Sequence, residues 1–109
     1  MHEMALTQDL VELVAQRFEG RRVTRLVLEV GKLAAVLPDA FRFCFEICSA
    51  GTPAEGAELE IVEKPGLARC RACAGEVSLD HPLGSCGCGS VDLELLSGDE
   101  LRLSAVEVI

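Results

Sequence analysis

The chain has 109 residues, enough for one ordinary domain or two very small ones, and half of them are apolar. The four aromatic residues are all Phe, so the core must be built mainly of Leu, Val and Ala. A formal net charge of -8, from 18 acidic and 10 basic residues, argues against nucleic acid, whose binding is dominated by Lys and Arg at phosphates, and suits cations or basic surfaces.

Leu6, Leu10, Leu13 and Val14 recur at the helical period over residues 3–18, and Gly20 ends that segment. Residues 22–30 are β-branched and aliphatic, with Leu26, Leu28 and Val30 alternating with Arg25, Val27 and Glu29, which predicts a half-buried strand. Pro38 opens a second helix that stops before Gly51, with Phe41, Cys44, Phe45 and Cys48 on one face as core residues. Residues 57–64 alternate again and predict a strand ending at Pro65-Gly66. Glu55, Glu58, Glu60 and Glu63 read as its polar loop-and-strand face.

Residues 67–97 carry four of the six cysteines and no helical period. They are expected to be irregular apart from a short strand at Val91–Leu95. After the turn Ser97-Gly98-Asp99, the alternating run from Leu101 to Val108 is predicted to return to the first sheet. The cysteine segment is then an insertion between two strands. The resulting expectation is an α+β fold, a small three-stranded mixed sheet with two helices plus an inserted zinc-ribbon module.

The apolar stretches are too short to cross a bilayer, and Met1-His2-Glu3 opens with an acid and no signal-type run, which predicts a cytoplasmic protein. In a reducing compartment the cysteines are expected as metal ligands and core residues. Cys70-x2-Cys73 and Cys86-x-Cys88 make two close pairs flanked by small residues, the pattern of a closed four-thiolate zinc site. Ala74-Gly75 and Gly89-Ser90 are expected to turn backbone N–H groups toward sulfur, and Gly87 to supply the sharp bend that Cys-x-Cys requires. His81 is the spare fourth ligand should Cys86 be displaced, and iron is the other metal such ligands accept.

At the other end, the amine of Met1, the amide and ring nitrogens of His2, and Glu3 can close adjacent chelate rings around Ni(II) or Cu(II). From spacing alone the signal is weak: a histidine at position 2 is usually a surface residue, and Glu3 also reads as an acid favouring the helix dipole. No phosphate loop, Ser-His-Asp set or paired catalytic carboxylates can be placed, so an enzyme is not expected.

Met1-His2-Glu3-Met4, Leu28-Glu29-Val30-Gly31-Lys32-Leu33, the Phe41–Glu46 helix, Ala57–Ile61 and Cys88-Gly89-Ser90 together resemble the HypA/HybF family of hydrogenase maturation factors. The resemblance covers nearly the whole chain. It implies a nickel metallochaperone that holds Ni(II) transiently and delivers it to the large subunit of [NiFe]-hydrogenase, in partnership with a HypB-type GTPase. It also implies a nickel-binding α/β domain at residues 1–66 and 98–109, with Met1, His2 and Glu3 as nickel ligands. Residues 67–97 become a zinc-binding domain with Zn(II) held structurally by Cys70, Cys73, Cys86 and Cys88. Where the family pattern reads C-P-x-C-G-S, this chain reads Ser85-Cys86-Gly87-Cys88-Gly89-Ser90. A one-residue deletion accounts for that, as does loss of the first cysteine at Ser85. The competing classes are a zinc-ribbon protein-interaction module without metal traffic and a rubredoxin-like electron carrier.

Overall fold

The structure, a computed structural model, describes residues 2–109, with side chains from Glu3 onward. Among the described residues the order is α1 (His2–Arg17), β1 (Val23–Gly31), α2 (Pro38–Ser49), β2 (Glu58–Lys64), β3 (Gly66–Cys70), β4 (Glu76–Leu79), β5 (Leu93–Ser97) and β6 (Leu101–Val108). The strands make two three-stranded sheets, ordered β2-β1-β6 and β4-β3-β5. The fold is α+β, as the patterning predicted. The chain divides into two compact units. One comprises the chain to Leu28, Val36–Ile61 and Leu103–Ile109; the other comprises Glu29–Ala35 and Val62–Arg102.

The first sheet is mixed. The strands β1 and β2 are joined through α2, and their C-terminal ends coincide, with Lys32 N–H donating to the Lys64 carbonyl at 2.8 Å; they run parallel. β6 runs antiparallel to β1. Ile109 N–H bonds the Arg22 carbonyl at 3.0 Å at one end, and Gly31 N–H bonds the Glu100 carbonyl at 2.8 Å at the other. The last strand therefore does return to the first sheet. Arg25, on the central strand, is ion-paired with Glu60 of β2 and Glu107 of β6. Its hydrogen bond to Glu107 is the main cause that raises its pKa further. Partly exposed pairs of this kind align strands more than they stabilise them. Glu60 is thus a paired residue, whereas Glu55, Glu58 and Glu63 form the exposed face expected of them.

Leu26 and Leu28 of β1, Leu10, Val11 and Val14 of α1, and Phe41, Cys44 and Phe45 of α2 are buried. Periodicity located each helical stripe to within one residue. On α1, Leu13 is 47% exposed, while Thr7 and Val11 are buried. Thr7 is tolerated there because its hydroxyl donates back to the Glu3 carbonyl one turn earlier. On α2, Cys48 is half-buried and Ser49 takes the inward position.

The segment expected to be irregular is instead a second sheet. β3 is central and antiparallel to both neighbours, with Arg69 opposite Glu76 of β4 and Cys70 opposite Leu93 of β5. The strand expected at 91–95 lies two residues later. Where the link into β6 passes this sheet, backbones nearly touch. A Cβ on Gly31 would lie 1.9 Å from the Gly98 carbonyl oxygen, and one on Gly98 would lie 2.4 Å from Gly66 Cα. Gly98 also has φ +101°, so both space and conformation demand glycine there.

Candidate metal centres

β3 delivers Cys70 into a tight turn. Ala74 N–H donates to the Cys70 carbonyl at 2.8 Å, and Cys70 N–H donates to the Gly75 carbonyl at 2.8 Å. The second pair repeats the device with one residue fewer: Gly89 N–H donates to the Cys86 carbonyl at 2.9 Å, and Cys86 N–H donates to the Ser90 carbonyl at 2.9 Å. The residue after each pair occupies the left-handed region, Ala74 at φ 63° and Gly89 at φ 94°. The bend assigned to Gly87 therefore falls at Gly89, and Gly87 has no positive φ. Cys86 stands where Cys70 stands in the first turn. That is the geometry of a one-residue deletion.

The two turns bring four sulfurs together. Cys70 Sγ lies 3.7 Å from Cys88 Sγ, and Cys73 Sγ lies 3.6 Å from Cys86 Sγ. All four ligand atoms lie within 4.8 Å of one another. A tetrahedron with Zn–S bonds of about 2.3 Å has edges of about 3.8 Å, so the donor set and spacing fit zinc. Cys70 is buried, Cys86 half-buried, and Cys73 and Cys88 exposed. The Cys73 backbone N–H, directed at the Cys70 sulfur, is the main cause holding that thiol down at about 6. At Cys88 the Ser90 N–H also lowers the pKa, but hydrogen bonds shared with Cys86 and Cys70 contribute to a net rise. His81 takes no part in this cluster. It is exposed, and its Nδ1 accepts the Leu83 N–H at 3.1 Å.

At the amino end, Met1 and the His2 side chain lie outside the described residues. Glu3 sits in the first turn of α1, half-buried, with its carboxylate 3.5 Å from the Leu37 N–H that donates to it. Because α1 begins at His2, the amides of its first turn have no helical carbonyl to bond. Met4 follows in the same helix. Its Sδ accepts the Cys48 thiol at 3.4 Å, a contact spanning 44 residues that no local pattern could reveal. Burial is the main cause that pushes the Cys48 thiol up.

The fold and the cluster define a two-helix α+β protein carrying a four-cysteine module suitable for zinc. The chain belongs to the HypA family: the family model described as "Hydrogenase/urease nickel incorporation, metallochaperone, hypA" matches residues 1–108. It is 54% identical over 108 residues to the "Hydrogenase maturation factor HypA" of Nostoc punctiforme, covering 99% of this chain and 96% of that one. It is 46% identical over 109 residues to the protein of the same name in Geotalea uraniireducens, covering 99% of each. The solution structure of the Ni metallochaperone HypA from Helicobacter pylori has the same fold, with a TM-score of 0.69 at 23% identity over 98% of this chain and 97% of that one. The family is one of nickel metallochaperones serving maturation, not of catalysts. No described helix is long and apolar enough to cross a membrane.

Proposed function

We propose that the protein carries Ni(II) at its amino end and hands it to the large subunit of [NiFe]-hydrogenase, working in the cytoplasm with a HypB-type GTPase. The observation that carries this reading is the match of residues 1–108 to a nickel-incorporation family, with Met1-His2-Glu3 inside the matched range. Nickel is cargo. Its ligands in this reading are the Met1 amine, the His2 amide and ring nitrogens, and Glu3. The start of α1 at His2 supports it, since the first-turn amides can lose a proton without breaking a helical hydrogen bond. Planar nitrogen ligation of this kind suits Ni(II) and strengthens as pH rises. Transfer is ligand exchange: ligands of the receiving protein replace those of the amino end one by one.

In the same reading, residues 67–97 form a zinc-binding domain, in which Cys70, Cys73, Cys86 and Cys88 hold Zn(II) and fix the surface presented to partners. The remaining residues, 1–66 and 98–109, form the nickel-binding domain. The test is a nickel titration of zinc-loaded protein beginning at Met1, beside a version with one residue added before Met1 and beside His2→Ala. The first is expected to bind one nickel tightly and the other two not, with zinc unchanged at one per chain. Equal affinity in all three would move nickel away from the amino end.

A further inference from the structure

The sulfur chemistry of this chain is not confined to the four-cysteine cluster. Met4 Sδ and Cys48 Sγ meet at 3.4 Å between α1 and α2, and both residues are half-buried. They line an open groove of about 580 Å³ whose other walls are Gln8, Val11, Glu12, Ala15, Ile47 and Thr52. Cys44 lies one helical turn before Cys48 and is buried. Residues four apart on a helix have Cβ atoms about 5–6 Å apart, and Cys44 stands close enough to Cys48 to help raise its pKa.

We propose that Met4, Cys44 and Cys48 form a second metal site, selective for a soft monovalent ion, Cu(I) or its analogue Ag(I). Thiolate and thioether donors select such ions. Ni(II) and Zn(II) prefer donor sets that this groove does not hold: planar nitrogens for the first, four thiolates or imidazoles for the second. On binding, the Cys48 S–H bond breaks, the sulfur bonds to the ion, and the proton leaves to solvent. The Cys44 thiol does the same, and the Met4 thioether donates a lone pair with no proton change. No electron is transferred.

The test uses zinc-loaded full-length protein titrated anaerobically with Cu(I) held by a chromophoric competitor, with zinc release followed in the same cuvette. One Cu(I) is expected to bind with no zinc released, and X-ray absorption should show an all-sulfur shell. Cys48→Ser should weaken it by more than about 100-fold, beyond the 10–100-fold typical of losing a supporting group. Met4→Leu, which conserves volume, should weaken it by about tenfold; unchanged far-UV circular dichroism in both variants would show that the fold is intact. Protein with one residue added before Met1 should bind Cu(I) like the original. Stoichiometric zinc release by the first equivalent would place the ion at the four-cysteine cluster and overturn the proposal. So would loss of binding in the extended protein, or unchanged binding in Cys48→Ser.

Discussion

At the scale of single residues, the cysteine cluster turns on Cys86. Its sulfur is 3.6 Å from Cys73 and its backbone repeats the turn made by Cys70. His81 spends its Nδ1 on the Leu83 amide. Cys86→Ser should therefore lower zinc affinity by more than about tenfold, whereas His81→Ala should leave it unchanged; a competition titration with a zinc indicator reads both. A fall in His81→Ala would put the imidazole in the ligand set. The spacing of the four cysteines was enough to foresee that they converge, because Cys-x2-Cys and Cys-x-Cys are local chelates. The choice between Cys86 and His81 was not legible. It depends on backbone bonds to Gly75 and Ser90, which the same residue types could equally have left unmade. Nor was the site of the bend: glycine at both 87 and 89 offers the left-handed region, and only the closed turn selects Gly89.

At the scale of elements, the two helices are held by a narrow set of inward residues. Phe41 is fully buried, and α2 presents it with Cys44 and Phe45. Phe41→Ala should cost about 3–5 kcal/mol, a cavity penalty that takes a large share of the roughly 5–15 kcal/mol typical of a whole domain. Thermal or urea unfolding measures it, and a loss under about 1 kcal/mol would mean the site collapses without a void. Both helices and the strands β1, β2 and β6 were readable, since each is long enough for its period to show. The strands β3 and β4 were not, and β5 was placed two residues early. They have five, four and five residues, and in β5 an extra residue, Leu96, bulges opposite Leu67 and Ala68 and shifts the alternation. The exposure of Leu13 and Cys48 has a related cause. A helical period fixes how wide a stripe is, while the neighbour it packs against decides which residues lie at its edge.

At the scale of the whole molecule, metal and proton compete for one cluster. Zinc needs four thiolates, so its affinity should rise with pH, and the raised Cys88 thiol must release its proton to solvent as the metal binds. Cys70, held near 6, stays ionised to lower pH than Cys88. In the metal-free protein the depressed Cys70 adds stability that is fully present above its ordinary value of 9.0 and is lost as pH falls through about 6. The raised Cys88 acts in the opposite sense, removing stability as pH climbs past its ordinary range. Chelating zinc at pH 7 should therefore loosen residues 67–97 first, read as fast amide exchange in β3, β4 and β5 while α1 and α2 stay protected. Uniform protection after chelation would show that the second sheet stands without metal.

The placement of the cysteine module between β2 and β6 also orders events during synthesis. β1 is finished at Gly31, yet its second neighbour begins only at Leu101. Until then one edge of a strand containing Leu26, Leu28 and Val30 lacks its partner, the kind of template that recruits other chains. Pairing Leu67 with Ser97 inside the module draws the two ends of the insertion together, which shortens the loop that β6 must close to reach β1. If, as proposed, zinc closes the module, zinc starvation is expected to leave the nascent chain longer with an open edge, prone to aggregate, before it affects cargo handling.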